Sequence, residues 1–219
     1  MSDPTVTLKS MKAIQQQLPL PQWGGPRKGA GRKRKSPRPQ VPHRKRPLFR
    51  RRALHVTIRV RAEVWRLRTH RCFRALRRSF IRGCARFGFR VVHFSVQGNH
   101  IHLIVEAPDE IALGRAMKGL EVRMARALNK VMRRRGAVFA DRYHARQLRS
   151  PQQAAYAVRY VLDNRAVHAL REGRPVPEGV DPYCSDAWRT YWPPLIREPW
   201  WWMLRVGVWM GQARSAVAA

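Results

Sequence analysis

Two histidines separated by one residue, His100 and His102, are the side chains of this sequence best suited to chemistry. In a β-strand, side chains two residues apart leave the same face, so the two imidazoles would lie side by side. Neighbouring imidazoles form half of a site for a divalent metal ion. A histidine pair also occurs as an ordinary partly buried polar pair, so the rest of the chain has to distinguish the two interpretations.

The complementary groups lie on a helix that the sequence predicts after Ser150. Tyr160 and Asn164 are four residues apart and therefore share a face of that helix, with Tyr156 one turn earlier. A phenol attacks phosphorus when positive charge lies nearby, and an amide oxygen suits Mg²⁺ or Mn²⁺. A tyrosine on an amphipathic helix is more often a packing residue, so this pattern alone leaves both roles open.

Positive charge flanks that tyrosine. Arg159 and Arg165 lie next to Tyr160 and Asn164, and we predict that both contact phosphate groups of a nucleic acid. Arginine suits this role because its planar guanidinium donates two parallel hydrogen bonds to phosphate oxygens.

A second tyrosine competes for the role of nucleophile. Tyr143 precedes Gln147 by four residues and has His144 beside it. If this segment is a strand, residues four apart are about 13 Å apart, which is too far for one metal. Tyr160 is therefore the preferred nucleophile and Tyr143 the runner-up. His55 and His93 are further imidazoles without a partner at ligand spacing.

Hydrophobic periodicity predicts the elements that position these residues. Strands are predicted at Leu54–Val60, Phe89–Gln97 and His100–Glu106, with a mixed fourth strand within Val138–Leu148. Helices are predicted at Thr69–Phe87, from Pro108 to about Arg134, from Ser150 to about His168, and near the C-terminus. This β-α-β-β-α-β-α order predicts an α+β fold, a ferredoxin-like antiparallel sheet with helices on one face.

Composition restricts the partners. The 219 residues include 45 Lys and Arg against 13 Asp and Glu, a net charge of +32, which favours nucleic acid and, second, a membrane surface. The three cysteines, Cys72, Cys84 and Cys184, form no C-x-x-C pair and argue against a disulfide framework or a zinc knuckle. With no secretory signal or long apolar run, we expect a cytoplasmic, nucleoid-associated protein without membrane contact.

The N-terminal segment differs from the rest of the chain. Lys and Arg crowd the stretch from Pro26 to Arg52, which has no Asp or Glu and little to bury. We predict a largely disordered nucleic-acid-binding arm over 1–52, a folded domain over 53–172, and a Pro- and Trp-rich extension with a terminal helix over 173–219. The arm residues expected to contact DNA are Arg27, Lys28, Arg32, Lys33, Arg34 and Lys35.

The stretch from Leu54 to His168 resembles the single-tyrosine HUH transposases of bacterial insertion sequences, and most of all their single-copy relatives, the REP-associated tyrosine transposases. The resemblance rests on His100-Ile101-His102 with its hydrophobic middle residue and on Tyr160-Val161-Leu162-Asp163-Asn164. Phe139–His144 is similar to the strand that precedes the family's catalytic helix. Arg165 stands where the family often has proline.

The resemblance implies a role for each residue. His100 and His102 would bind Mg²⁺ or Mn²⁺, with Asn164 as the third ligand. Tyr160 would attack the scissile phosphate of hairpin-bearing single-stranded DNA, leaving a 5′-phosphotyrosine and a free 3′-OH that later attacks the covalent bond. The protein would act as a monomer or a homodimer.

Two other functions are compatible with the same sequence. The chain could be a domesticated, non-catalytic DNA-binding protein with the same fold, or a basic RNA-binding module, although no RNP-type aromatic motif is present. Tryptophans of the C-terminal segment could stack on unpaired bases or pack a terminal helix against the domain; they are Trp188, Trp192, Trp200, Trp201, Trp202 and Trp209.

Overall fold

A computed structural model describes residues 48–86 and 88–215, with side chains through residue 210. The predicted DNA-contacting residues of the arm, from Arg27 to Lys35, lie outside the described residues. The described residues belong to one compact unit.

A five-stranded antiparallel sheet forms the centre of the fold. Its strands are β1 (Arg50–Arg59), β2 (Ala85–Arg86), β3 (Phe89–Val96), β4 (His100–Asp109) and β5 (His144–Leu148). They are arranged in the order β2-β3-β4-β1-β5. Apart from the short β2, this is the order of a ferredoxin-like sheet, in which β4 lies between β1 and β3. The predicted α+β class with an antiparallel sheet is confirmed.

The described residues also form five α-helices. They are α1 (His70–Gly83), α2 (Glu110–Val131), α3 (Pro151–Leu162), α4 (Asn164–Arg171) and α5 (Trp202–Ser215). Side-chain caps begin three of them: Thr69 caps α1, Asp109 caps α2 and Ser150 caps α3. Each cap oxygen accepts a backbone N–H that the first helical turn leaves without a partner.

The helices cover both faces of the sheet. Alternate strand residues such as Ile101 and Leu103 pack into the larger core with α1 and α2. On the opposite face, Ile104 packs with Val158 of α3 and Leu204 of α5. The expectation of helices on one face therefore holds for α1 and α2 and is corrected for α3 and α5. The apolar stripe of α3 covers the sheet face that carries the two histidines.

Some elements differ in length from their predicted bounds. The fourth strand is regular only over His144–Leu148, and before it Phe139 makes a single bridge to Val60. The helix predicted from Ser150 to His168 is interrupted at Asp163, which divides it into α3 and α4. The first strand starts at Arg50 because its basic N-terminal residues pair with the end of β4.

The segment before α5, which includes Tyr183 and Arg197, covers the outer edge of β3. The N–H of Val96 donates to the carbonyl of Tyr183, and the N–H of Arg197 donates to the carbonyl of Val91, so both ends of β3 are covered. Asp181 accepts two 2.8 Å hydrogen bonds from the guanidinium of Arg68. These contacts fix the C-terminal extension against the domain.

None of the helices in the described part of the chain is long and apolar enough to cross a membrane.

Candidate active site

The two histidines of β4 converge as the strand pattern predicts. The Nε2 atoms of His100 and His102 are 3.0 Å apart, and the rings are nearly perpendicular. Two adjacent ligands of an octahedral cation bound at about 2.1 Å are separated by about 3.0 Å. The pair therefore has the spacing that a single divalent cation requires.

The remaining ring nitrogens make hydrogen bonds that fix the tautomers needed for metal binding. Nδ1 of His100 lies 2.7 Å from the Oδ1 atom of Asn99, an acceptor, so Nδ1 carries the proton and Nε2 keeps its lone pair. Nδ1 of His102 lies 3.0 Å from Nε2 of His55 and 3.2 Å from Oγ1 of Thr57. Donation from His102 to either group leaves its Nε2 free to bind a cation.

Electrostatics keeps both imidazoles neutral. Burial, with contributions from His168 and Arg59, lowers the pKa of His100 to about 4. Burial and the neighbouring imidazoles, first His100 and then His55, lower the pKa of His102 to about 3. Both side chains are therefore deprotonated at neutral pH, the state in which imidazole binds metals.

Tyr160 packs against His102 within the same chain. Its ring centroid is 5.2 Å from that of His102 and 5.8 Å from that of His55, both in edge-to-face geometry. The fold thus brings the Tyr160 phenol, the His102 and His55 imidazoles and, next to His102, the His100 imidazole together from α3, β4 and β1.

Tyr143 occupies a different environment. It is buried, with 6% of its surface exposed, and belongs to the core on the α1–α2 side of the sheet. Its neighbour His144 is exposed and lies opposite Thr57 in the sheet. The geometry therefore favours Tyr160 as the nucleophile, as the sequence pattern does.

Asn164 is a buried polar residue whose carboxamide a bound ligand could satisfy. It begins α4 and is fully buried, and neither polar atom of its carboxamide has a hydrogen-bond partner in the described part of the protein. Leaving a buried polar group without a partner costs about 1–3 kcal/mol. A cation held by His100, His102 and the Asn164 oxygen would satisfy the acceptor half of this amide. By chemical type, two imidazoles and an amide oxygen can serve as ligands of Mn²⁺, and the amide oxygen also suits Mg²⁺.

Within the described residues, no group of three or more His, Cys, Asp and Glu side chains is arranged to hold a metal ion. Among these residues, a third protein ligand to the histidine pair would have to be of another type, such as an amide. His168, one turn after Asn164, has its ring centroid 6.0 Å from that of His100 and lies at the rim of the site.

The predicted phosphate contacts lie on α3 and α4. Arg159 is about half exposed and lies 3.7 Å from the carboxylate of Asp163, while Arg165 is partly buried at the start of α4. Arg59, opposite His100 in the sheet, contributes further positive charge to this face.

Several residues of the site have no predicted role in the sequence, among them His168, Thr57 and Asn99. His168 is four residues after Asn164, so the helical spacing that joins Tyr160 to Asn164 could have found it. Thr57 and Asn99 give no such signal, because only the pairing of β1 with β4 and the turn before β4 bring them to the histidines.

The structure places a tyrosine-bearing helix against the sheet face that carries the paired imidazoles, and sequence comparison gives the family. A profile of IS200-like transposases matches residues 50–164, more than half of the chain, which therefore belongs to the IS200-like transposase family. No curated protein matches the chain in sequence.

One solved structure shares the fold. A REP-associated tyrosine transposase bound to a REP hairpin superposes with a TM-score of 0.53 at 15% identity, over 73% of this chain and 92% of that one. A candidate transposase from Deinococcus radiodurans is more distant, with a TM-score of 0.39 at 13% identity over 61% of this chain and 98% of that one.

Proposed function

We propose that the protein is a transposase that cleaves and rejoins hairpin-bearing single-stranded DNA through a 5′-phosphotyrosine at Tyr160. The observation that carries the proposal is the packing of the Tyr160 ring against His102 within one chain, 5.2 Å between centroids. Membership of the transposase family supports the DNA substrate, and the hairpin in the related structure supports its form.

His100, His102 and Asn164 would hold a divalent cation. When bound, the cation supplies positive charge that withdraws electrons from the scissile phosphate. Asn99 and either His55 or Thr57 hold the two imidazoles in the tautomer that this requires. Arg159 and Arg165 would bind neighbouring phosphates and hold the strand in line with Tyr160.

Cleavage is then a transfer of the phosphoryl group to the tyrosine. The Tyr160 phenol loses its proton to solvent, its oxygen forms a bond to phosphorus, and the bond from phosphorus to the 3′ oxygen breaks. The leaving 3′ oxygen takes a proton from water. Rejoining reverses these steps when a 3′-OH attacks the phosphotyrosine, so no outside energy source is needed.

A matched pair of variants tests the nucleophile. Wild-type protein with Mn²⁺ and a labelled single-stranded hairpin should form a covalent adduct that survives denaturing electrophoresis. We expect Tyr160→Phe to abolish the adduct and Tyr143→Phe, a buried substitution of similar volume, to retain it. An adduct that persists in Tyr160→Phe and disappears in Tyr143→Phe would overturn the assignment. Tight DNA binding without an adduct on any hairpin would favour the non-catalytic DNA-binding function.

A further inference from the structure

The last helix, α5, has an exposed aromatic face. Leu204 and Val208 are buried against α3, whereas Trp202 is 69% exposed, Val206 38% and Trp209 71%. The three exposed residues are spaced four and three apart, so they form one stripe along the outer side of the helix. Large exposed aromatic groups in one stripe mark an interaction surface more often than a solvated one.

Charge indicates what this surface binds. Arg205 is exposed and lies between the two tryptophans on the helix, and α5 contains no acidic residue. Just before the helix, the guanidinium of Arg90 stacks over the ring of Trp200 at 4.4 Å. Flat aromatic faces interleaved with arginine are the features that bind unpaired nucleic-acid bases and their phosphates. Insertion into a bilayer would instead bury the Arg205 charge among acyl chains.

Two contacts tie α5 to the elements of the candidate active site. The buried carboxylate of Glu106 accepts the N–H groups of Trp200 at 2.7 Å and Trp201 at 3.0 Å, which fixes the segment entering α5 to β4. The helix then packs along α3, the helix that carries Tyr160. The aromatic stripe is thereby held in a fixed position relative to the histidines and the tyrosine.

The length of the stripe matches a few nucleotides. Trp202 and Trp209 are separated by two helical turns, about 10.5 Å along the axis. Stacked bases repeat about every 3.4 Å, so this distance corresponds to roughly three base steps.

We propose that Trp202, Arg205 and Trp209 form a binding surface for unpaired nucleotides of the DNA strand, with the indole rings stacking on bases and Arg205 contacting phosphate. The choice of ligand rests on the proposed function, because that function requires single-stranded DNA. Binding is measured in EDTA, so failure of this surface and failure of the cleavage chemistry give different results.

The test measures the affinity of the full-length protein for a labelled short oligothymidylate by fluorescence anisotropy at several salt concentrations. We expect the double variant Trp202→Ala, Trp209→Ala to bind the oligonucleotide about a hundredfold more weakly, roughly tenfold for each stacking residue. The salt dependence of its affinity should be unchanged. Arg205→Gln should weaken binding and also lower the slope of log affinity against log salt by about one.

The matched control is Trp192→Ala. Trp192 is 83% exposed and follows Tyr191, which stacks with Arg77 of α1, in the segment on the other side of the sheet. Removal of the Trp192 side chain should leave the affinity for DNA unchanged. The double variant Trp202→Phe, Trp209→Phe keeps two aromatic rings and should retain most of the wild-type affinity.

Four results would overturn the proposal. The first two are a double alanine variant that binds DNA as tightly as the wild type, and an equal loss of affinity in Trp192→Ala. The third is a double alanine variant that loses binding to phosphatidylserine vesicles but keeps its DNA affinity. The fourth is a double alanine variant that changes from dimer to monomer with its DNA affinity unchanged. If the double alanine variant does not fold, the single variants give the same comparison. Binding that depends on these residues in a protein that forms no adduct would sustain this surface and refute the cleavage function.

Discussion

At the residue scale, the two imidazoles of the proposed metal site depend on their hydrogen-bond partners. The orientation of His102 is set across the sheet by His55 and Thr57, which approach the same Nδ1 atom. His55 also contacts the ring of Tyr160, so it touches both a proposed metal ligand and the proposed nucleophile. Partners of this kind usually matter nearly as much for metal affinity as the ligands themselves.

Removal of the His55 acceptor tests this arrangement. We expect His55→Phe to weaken Mn²⁺ binding by about 10- to 100-fold, because His102 loses the group that fixes its tautomer. His55→Gln keeps an acceptor oxygen and should recover part of the affinity, as measured by isothermal titration calorimetry. If Thr57→Val weakens binding and His55→Phe does not, Thr57 is the acceptor.

The lowered pKa values of the pair predict how metal binding depends on pH. Ordinary imidazoles with a pKa of about 6.5 would be about nine-tenths protonated at pH 5.5, and two of them would lose about a hundredfold in affinity. With pKa values of about 4 and 3, His100 and His102 stay neutral at that pH. The Mn²⁺ dissociation constant should therefore change less than about threefold between pH 7.5 and 5.5, and rise only as the pH approaches 4. A rise of the Mn²⁺ dissociation constant by about a hundredfold at pH 5.5 would show that the pKa values of the two imidazoles are not lowered.

At the scale of elements, the sequence predicts those features of strands and helices that depend on residues close together in the chain. The spacing of His100 and His102 predicts their common face, and Ser150 with Gln153 predicts the start of α3. There the N–H of Gln153 donates to the Ser150 hydroxyl, and the Gln153 side chain accepts from the N–H of Arg149. These patterns work because each involves residues within one turn or one strand.

The packing of α5 on α3 could not be predicted in this way, because nothing local relates two helices so far apart in sequence. At their closest approach, a Cβ atom added to Gly207 would lie 2.5 Å from the Cβ atom of Ala154 and 2.9 Å from the carbonyl oxygen of Pro151. Only glycine allows the two helices to approach so closely.

Glycine-to-alanine substitutions test this contact. Gly207→Ala should lower the free energy of unfolding by about 1–3 kcal/mol, because the added methyl group forces the helices apart. Gly114→Ala in α2 meets nothing within 4 Å and should raise stability by about 0.5–1 kcal/mol through helix propensity. Urea unfolding of both proteins gives the comparison. Equal stability of Gly207→Ala and wild type would mean that α5 does not pack on α3 as described.

At the scale of the whole molecule, the C-terminal extension determines which sheet edges are available. On the side where the two-residue β2 leaves most of β3 unpaired, the extension pairs with β3 at both Val91 and Val96, so that edge is covered. The other edge is β5, which has five residues and exposes His144 and Arg146. Short, charged edge strands resist pairing with a second chain. The sequence left the choice between monomer and dimer open, because the long-range pairing that covers β3 has no local signature.

We therefore expect a monomer whose site is complete within one chain. Sedimentation equilibrium should give a single species of monomer mass. When the Tyr160→Phe protein is mixed with the His102→Ala protein, no adduct should form, because neither chain carries a complete site. Restored activity in the mixture would show that the tyrosine of one chain acts on the metal site of another.

The site of covalent attachment tests the central claim most directly. Trypsin cleaves after Arg159 and Arg165, so an adduct at Tyr160 gives the peptide Tyr-Val-Leu-Asp-Asn-Arg with the nucleotide attached. An adduct at Tyr143 gives Tyr-His-Ala-Arg instead, since Arg142 and Arg146 flank it. Mass spectrometry of the nuclease-trimmed adduct should find the nucleotide on the Tyr160 peptide. Its presence on the Tyr143 peptide would contradict the proposed mechanism.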